Sequence, residues 1–181
     1  MTPDYMRNLA ERIGLPDLRY LLPVADGNTW YPKGFLAPLA DNEPYLTAAI
    51  AHYEAIVGNL LAEGTKPSRL VVGGFSQGAS LTAEYLCRHP RRLAGAILWT
   101  GGLIGPDGSA WPANRGLDGM PAYLTTSETD PFVPPARVRA TADWLIASGA
   151  VTTARIFASR EHLVSDEEIA AARRLLEFAM A

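Results

Sequence analysis

The stretch LVVGGFSQGA, residues 70–79, decides the fold, because it joins an apolar run to the motif GxSxG, residues 74–78. The apolar run predicts a strand over Arg69–Gly73, and apolar residues at helical spacing over residues 79–86 predict a helix after the motif. A serine in a tight turn between a strand and a helix is typical of a nucleophile elbow, in which only small neighbours avoid collision. We therefore predict that Ser76 is a nucleophile. The alternative is that Ser76 only caps the following helix.

Length and composition are typical of one globular domain, predicted over residues 1–181. The chain is 48% hydrophobic and 19% charged, with a net charge of −3 and no basic stripe, which argues against a nucleic-acid partner. The first twelve residues do not resemble a secretory signal, and no apolar run is long enough for stable membrane insertion, so we expect a cytoplasmic protein. The single cysteine, Cys87, predicts neither an internal disulfide nor a cysteine-based metal site.

The other apolar runs predict the rest of an α/β fold. Runs that are nearly continuous in apolar residues indicate strands buried on both faces, hence a mostly parallel sheet flanked by helices. The predicted strands are Leu18–Leu22, Arg69–Gly73, Gly95–Thr100, Ala122–Thr126 and Thr152–Phe157. Besides the helix after the motif, the predicted helices are Tyr5–Ile13, Pro44–Glu63, Pro135–Ser148 and a last one that starts at Ser165, where Glu168 completes a capping box.

A catalytic serine needs a general base, and the chain has three histidines. His89 lies thirteen residues after Ser76 on the same predicted helix, so the two are roughly 20 Å apart. His52 belongs to a regular amphipathic helix and is expected to be a partly exposed surface residue. His162 follows the last predicted strand and lies at the carboxyl edge of the sheet, as does Ser76. We therefore predict that His162 is the base.

The acid that orients the base is predicted from its position relative to a strand. Asp118 precedes the strand Ala122–Thr126 and falls at the wrong edge of the sheet, whereas Asp130 follows that strand in a loop stiffened by prolines. Glu128 is the nearest rival, and Asp107 is a more distant one. We predict Asp130 as the orienting acid.

The predicted nucleophile, acid and base occur in the chain order of α/β-hydrolases. The segments GGFSQGAS (73–80), TDPFVP (129–134) and EHLVSDEE (161–168) each resemble a catalytic stretch of the phospholipase/carboxylesterase family of α/β-hydrolases, which includes the acyl-protein thioesterases. The similarity extends over nearly the whole chain. It implies an α/β-hydrolase fold and an esterase or thioesterase that needs no cofactor or metal and acts on small-molecule esters.

The resemblance also implies a role for each residue of the site. Ser76 would attack the carbonyl carbon, His162 would move the proton, and Asp130 would hold the imidazole. The backbone N–H of Gln77, the residue after the serine, would donate to the developing oxyanion.

One part of the family pattern is missing from the sequence. In the family, a second oxyanion N–H comes from a histidine-glycine loop after a strand that precedes the first helix, and this sequence has no such strand. The missing strand would lie between the predicted strands Leu18–Leu22 and Arg69–Gly73. Three arrangements are open: these two strands pair directly, another chain lends a strand, or the natural protein starts earlier. An exposed sheet edge favours self-association, so a homodimer is among the expected assemblies.

The long irregular segment between Pro23 and Pro44 leaves the sheet near the predicted elbow, and such loops are often functional. Its aromatic residues Trp30, Tyr31 and Phe35 are expected either to form a wall of a substrate pocket or to anchor the loop to the core. Leu103 and Phe132 are further candidates for substrate contact. An apolar pocket of this kind suits neutral esters with short or medium acyl chains.

Two other functions stay open at this stage. With an incomplete oxyanion hole, the chain could be a catalytically silent α/β-hydrolase fold that binds a ligand or a partner. Peptidase or dienelactone hydrolase chemistry is a third interpretation, although dienelactone hydrolases usually use a cysteine nucleophile. We expect the hydrolase activity to survive at a reduced level, because the predicted triad is intact.

Overall fold

The computed structural model describes residues 2–180, which form four strands and five helices of more than four residues. The strands are β1 (Val71–Phe75), β2 (Gly95–Trp99), β3 (Pro121–Ser127) and β4 (Val151–Phe157). The helices are α1 (Pro3–Ile13), α2 (Tyr45–Ala62), α3 (Gln77–Arg88), α4 (Pro135–Ala147) and α5 (Asp166–Met180). Four of the five predicted strands and every predicted helix are confirmed. Their ends shift by two residues or fewer.

The four strands form one parallel sheet in the order β1-β2-β3-β4. Val71 is opposite Gly95 in the β1–β2 pair, and Pro121 is opposite Val151 in the β3–β4 pair. Every residue of β2 is buried, as expected for a central strand with helices on both faces. In a parallel sheet the carboxyl ends of the strands share one edge, so the loops after β1, β3 and β4 are brought close together.

Helices cover both faces of the sheet, and side chains that alternate along each strand enter two separate hydrophobic clusters. In β2, Ala96 and Leu98 belong to the cluster shared with α2, α3 and α4, while Ile97 and Trp99 belong to the cluster shared with α1 and α5. The period-two alternation of a strand therefore fills two cores at once. None of the helices in residues 2–180 combines the length and apolarity needed to cross a membrane.

The predicted strand Leu18–Leu22 is wrong. These residues have no regular secondary structure, and within residues 2–180 β1 has a single neighbouring strand, β2. Leu18 and Tyr20 pack instead against the cluster between the sheet and α1 and α5. Burial of apolar side chains does not require a ladder of backbone hydrogen bonds, which is why an apolar run alone was misleading. The run therefore does not pair with β1, which was the first of the three predicted arrangements. Gly73 is exposed on the outer edge of β1.

The capping box predicted at the last helix is confirmed. The backbone N–H of Ser165 donates to Glu168 Oε2 over 2.8 Å, and the backbone N–H of Glu168 donates to Ser165 Oγ over 3.4 Å. Each side chain thereby satisfies a backbone donor at the start of α5. The box fixes the point at which the loop after β4 joins the helix.

Candidate active site

Ser76 occupies the sharp turn between β1 and α3. Its backbone has φ 55° and ψ −120°, a conformation that side chains rarely adopt and that costs of order 1–3 kcal/mol. The turn is held by a hydrogen bond from the Ser76 N–H to the carbonyl oxygen of Trp99, 2.9 Å long. Ser76 occupies the N-cap position of α3, but its side chain makes no capping hydrogen bond to the helix, so the alternative in which the hydroxyl only caps α3 is wrong.

The two glycines of the motif have different packing. A Cβ at Gly74 would lie 2.4 Å from the backbone carbonyl carbon of Gly78, so the strand and the first turn of α3 approach each other too closely for any side chain. At Gly78, a Cβ would meet no atom within 4 Å. The close approach is therefore at the first glycine of GxSxG.

We expect Gly74→Ala to destabilise the protein by more than about 2 kcal/mol, because strand and helix must separate to admit the methyl group. Gly78→Ala is the matched control; it adds the same methyl group in open space within a helix and is expected to leave stability unchanged or to raise it by up to about 1 kcal/mol. Urea unfolding of the three proteins measures both effects. Equal free energies of unfolding for the two variants would contradict this account of the turn.

His162 and Asp130 complete a chain of hydrogen-bonding groups with Ser76. His162 Nε2 lies 2.9 Å from Ser76 Oγ, and His162 Nδ1 lies 2.8 Å from Asp130 Oδ2. With Nδ1 protonated toward the carboxylate, Nε2 presents its lone pair to the serine hydroxyl. The structure thus brings together the three residues that the sequence predicts as nucleophile, base and acid, from the ends of β1, β4 and β3.

Asp130 is held as a carboxylate. Its other oxygen, Oδ1, accepts the backbone N–H groups of Phe132 and Val133 over 2.9 and 2.8 Å. Burial by itself would raise the pKa of Asp130, but the hydrogen bonds from His162 and from these two N–H groups outweigh it, and the pKa falls below its ordinary value. The acid therefore stays ionised through the neutral range.

The imidazole of His162 is packed between two aromatic rings. Phe75 and Phe132 each have their ring centroid 4.9 Å from that of His162, the second in an edge-on arrangement with a 72° angle between the ring planes. The His162 side chain is 15% exposed, so it faces solvent only over a small area. This packing restricts rotation of the ring and preserves its alignment with Ser76.

The rival carboxylates are engaged elsewhere. Glu128 accepts a hydrogen bond from Arg139 over 3.0 Å, and Asp107 pairs with the buried guanidinium of Arg137 at 3.2 Å. The carboxylate that contacts His162 is that of Asp130. The structure therefore favours Asp130 over both rivals as the partner of the imidazole.

The two other histidines also have separate partners. His52 stacks on Trp30 with ring centroids 6.4 Å apart. His89 stacks on Tyr85 at 5.4 Å and lies 3.9 Å from a carboxylate oxygen of Glu54. His52 is exposed on α2, as predicted, and His89 lies at the C-cap of α3, at the far end of the helix from Ser76.

A cavity of about 340 Å³ opens beside Ser76 and His162. Its aromatic walls include Tyr31, Phe35 and Phe132, all three of which the sequence offers as candidates for the wall of a substrate pocket. Such a volume lies at the lower end of the range for small-molecule sites.

Two predicted substrate contacts do not line this cavity. Leu103 is fully buried in the core, and Trp30 is half-buried beside the loop, with its ring against His52. Ser80 lines the cavity and was not predicted, although its position one helical turn after Ser76 places it on the same face of α3.

The side chain of Gln77 joins the elbow to the aromatic loop. Its Oε1 accepts the backbone N–H of Trp30 over 2.9 Å, while its Nε2 donates to the carbonyl oxygen of Tyr31 over 2.9 Å and to Thr29 Oγ1 over 3.2 Å. This set of three hydrogen bonds was not predicted, because no local pattern in the sequence pairs residues so far apart. We name it the Gln77 clamp.

The backbone donors near Ser76 differ in availability. Gln77 is the first residue of α3, so its N–H has no acceptor within the helix. In the neighbouring loop, the N–H of Trp30 is taken by the Gln77 clamp, and the N–H of Lys33 donates to Asn42 Oδ1 over 2.8 Å. Neither of these two loop donors is available to an oxyanion in this arrangement.

Metal-ligating side chains do not cluster in residues 2–180: no group of three or more histidine, cysteine, aspartate or glutamate side chains is placed to hold an ion. The predicted absence of a metal and of a cofactor stays a prediction. Cys87 is half-buried in α3, and burial raises the pKa of its thiol to about 11.

Comparison with known proteins identifies relatives that hydrolyse esters. The sequence profile of the phospholipase/carboxylesterase family matches residues 21–180. Over 133 residues the chain is 29% identical to Acyl-protein thioesterase 1 of Schizosaccharomyces pombe, and this match covers 69% of the chain and 58% of the relative. A shorter match of 60 residues, 32% identical, covers 33% of the chain and 26% of Carboxylesterase SOBER1 of Arabidopsis thaliana. The matches thus span less than two thirds of either relative.

Solved structures show the same architecture. The phospholipase/carboxylesterase from Dyadobacter fermentans DSM 18053 is 33% identical, with a TM-score of 0.78 over 83% of the chain and 72% of that protein. Carboxylesterase SOBER1 of Arabidopsis thaliana is 18% identical, with a TM-score of 0.79 over 100% of the chain and 94% of that protein, which shows the fold alone. Because the family profile matches nearly the whole chain, the protein belongs to the phospholipase/carboxylesterase family of α/β-hydrolases.

Proposed function

We propose that the protein is a serine carboxylesterase or thioesterase that cleaves short to medium acyl esters through Ser76, His162 and Asp130. The observation that carries this proposal is the continuous pair of contacts at His162, 2.9 Å to the serine hydroxyl and 2.8 Å to the carboxylate. Both distances are within the range for direct proton transfer and for orientation of a general base.

In the acylation step, Ser76 Oγ attacks the carbonyl carbon of the ester and its proton passes to His162 Nε2. The carbonyl oxygen becomes an oxyanion that accepts the N–H of Gln77. The tetrahedral intermediate then collapses, the bond to the alcohol or thiol breaks, and His162 returns the proton to the leaving group. An acyl group remains bound to Ser76.

In the deacylation step, His162 removes a proton from water, and the resulting hydroxide attacks the acyl carbon. The second intermediate collapses, the bond between the acyl carbon and Ser76 Oγ breaks, and His162 passes the proton to that oxygen, which releases the carboxylic acid and restores the serine hydroxyl. Asp130 remains ionised throughout and stabilises the imidazolium that forms in each step. Its lowered pKa suits this role.

The cavity supports the choice of substrate class. Three aromatic rings line the space beside Ser76, and the volume of about 340 Å³ suits a short or medium acyl chain. Removal of one oxyanion donor typically lowers turnover by about 10²- to 10³-fold. In this structure the backbone N–H groups of Trp30 and Lys33 already donate to the side chains of Gln77 and Asn42. We therefore propose slow turnover compared with an esterase that has two oxyanion donors.

A fluorophosphonate, which reacts with activated serines, tests the proposal directly. We expect folded protein to be labelled at Ser76, with the site assigned by mass spectrometry of the digested protein. Ser68 is the internal control. It is exposed and carries the same hydroxyl, but within residues 2–180 no histidine contacts it, so we expect it to stay unmodified. A folded protein that is not labelled at Ser76 would contradict the proposal.

A ligand-binding protein without catalysis is the second candidate function. The engaged loop donors favour it, because without an adequate oxyanion hole the cavity can bind an ester without cleaving it. The same labelling experiment separates the two candidates: binding without activation of Ser76 leaves the fluorophosphonate unreacted.

Four further properties stay predictions. A homodimer is proposed because Gly73 is exposed on the outer edge of β1, and light scattering at several protein concentrations tests it. A single domain over residues 1–181 predicts one cooperative unfolding transition. The cytoplasmic location is proposed from the sequence alone, as is the absence of a nucleic-acid partner.

A further inference from the structure

A buried arginine holds the loop that carries His162. Arg160 lies two residues before His162, and its side chain is only 6% exposed. The guanidinium donates from Nη1 to the carbonyl oxygen of Glu161, over 2.9 Å, and to that of Leu163. Because these two residues flank His162, the backbone on both sides of the imidazole is bound to the same rigid group.

Arg160 also connects this loop to two other strands of the sheet. Its Nη2 donates to Thr100 Oγ1 over 2.8 Å, and its backbone N–H donates to Ser127 Oγ over 2.9 Å. Thr100 follows β2 and is fully buried, and Ser127 is the last residue of β3. The guanidinium carbon lies over the ring of Phe157 at 5.3 Å, at the end of β4. The ends of three adjacent strands thus meet at one residue, those of β2 and β4 at its side chain and that of β3 at its backbone N–H.

A fully buried carboxylate balances the charge of this guanidinium. Glu168 Oε2 lies 3.4 Å from Arg160 Nε, and the same oxygen accepts the N–H and the hydroxyl of Ser165 over 2.8 Å each. A buried charge that loses its partner is costly, so the pair strongly restricts where the arginine can go. Glu168, in the first turn of α5, thus holds Arg160, and Arg160 in turn holds the loop that carries His162.

We propose that Arg160 is a positioning residue for the general base: it sets the backbone at His162 so that the imidazole meets both Ser76 and Asp130. This inference rests on the proposed function. Residues 158–164 contain no helix or strand, so the contacts of Arg160 replace the backbone ladder that would otherwise fix the loop. Arg160 does not line the cavity beside Ser76, so its loss acts on the reaction and not on substrate binding.

The comparison of Arg160→Met with Arg155→Met tests the inference. Arg155 is the matched control, because its guanidinium also lies over Phe157, at 5.2 Å, and pairs with Glu167, but its side chain is 55% exposed. With p-nitrophenyl butyrate as substrate, we expect Arg160→Met to lower kcat about 10- to 100-fold with KM changed less than about twofold, as for a misplaced catalytic group. We expect Arg155→Met to retain the wild-type kcat.

Two measurements separate positioning from loss of folded protein. Circular dichroism gives the folded fraction of each variant, and kcat is expressed per folded molecule. In Arg160→Lys one ammonium cannot replace all the donors of the guanidinium, so we expect a folded protein whose kcat lies between those of the wild type and of Arg160→Met. A wild-type kcat per folded molecule in either Arg160 variant would overturn the inference.

A spectroscopic measurement makes the result independent of turnover. The Nδ1 proton that His162 shares with Asp130 is expected to give a far-downfield proton resonance in the wild type and in Arg155→Met, and to weaken or broaden in Arg160→Met. An unchanged resonance in folded Arg160→Met would also overturn the inference. If the wild type hydrolyses no ester, the proposed function fails, and this resonance alone decides the role of Arg160.

Discussion

Ser76→Ala is expected to reduce the hydrolysis of p-nitrophenyl acetate and butyrate by at least about 10⁴-fold in kcat, because Ser76 Oγ is the hydroxyl that lies against the general base, 2.9 Å from His162 Nε2. The substitution removes only the hydroxyl group. The backbone conformation, with φ 55°, is still held by the hydrogen bond from the N–H of residue 76 to the carbonyl oxygen of Trp99. Stability should therefore change little, which separates the loss of chemistry from loss of the fold. Initial rates at saturating substrate measure the effect.

Ser68→Ala provides the control for Ser76→Ala. Ser68 is exposed on a short turn before β1, so removal of its hydroxyl is expected to leave kcat and KM unchanged. Equal rates for the wild type and Ser76→Ala would show that the hydrolysis comes from another site or from solution chemistry. The hydrolase proposal would then fall, although the fold and the family would stand.

Asp130→Asn is expected to lower kcat by about 10⁴-fold with the fold retained. An amide in place of the carboxylate can donate to Nδ1, and His162 is then held in the tautomer whose Nε2 carries a proton and cannot accept one from Ser76. The steady-state rate with p-nitrophenyl butyrate measures this loss. Glu128→Gln is the matched control, because Glu128 is exposed, pairs with Arg139 and is expected to be dispensable.

The same variant has a predicted dependence of stability on pH. The pKa of Asp130 is lowered in the folded protein, so its ionised form stabilises the fold fully above the unfolded pKa of about 3.9, and this contribution disappears as the pH falls through the folded pKa. The difference in the free energy of unfolding between wild type and Asp130→Asn should therefore be larger at pH 6 than at pH 3. Urea unfolding at the two pH values tests this, and a difference that grows toward pH 3 would contradict the sign.

The residues of the site were predictable because each follows a strand. Apolar runs located β1, β3 and β4, and parallel strands bring their carboxyl ends to one edge, so Ser76, Asp130 and His162 were expected at the same place. The spacing rule that removed His89 from consideration depends only on the rise of a helix. Local patterns, together with the rule that parallel strands end at one edge of the sheet, are therefore enough to predict these positions.

Other features depend on contacts that no local pattern encodes. The apolar run Leu18–Leu22 looks like a strand, but whether a run forms a ladder depends on which segment lies beside it. The placement of Leu103 in the core could not be told from its sequence position, which is as compatible with a pocket wall. The contacts of Gln77 with a loop 46 to 48 residues away, and those of Arg160 with Thr100, join parts of the chain that only the tertiary structure brings together.

The Gln77 clamp has a consequence for how the specificity of this enzyme fold can diverge. The amide of Gln77 recognises the main chain at Trp30 and Tyr31, not the identity of their side chains. Mutations that exchange the aromatic rings can therefore accumulate while the loop backbone that carries them stays bound to Gln77, next to Ser76. A loop transplanted from a homologue should be accepted when it offers one backbone N–H, one backbone carbonyl and the hydroxyl of position 29 in the same places, so that the pocket wall can change while the turn at Ser76 does not.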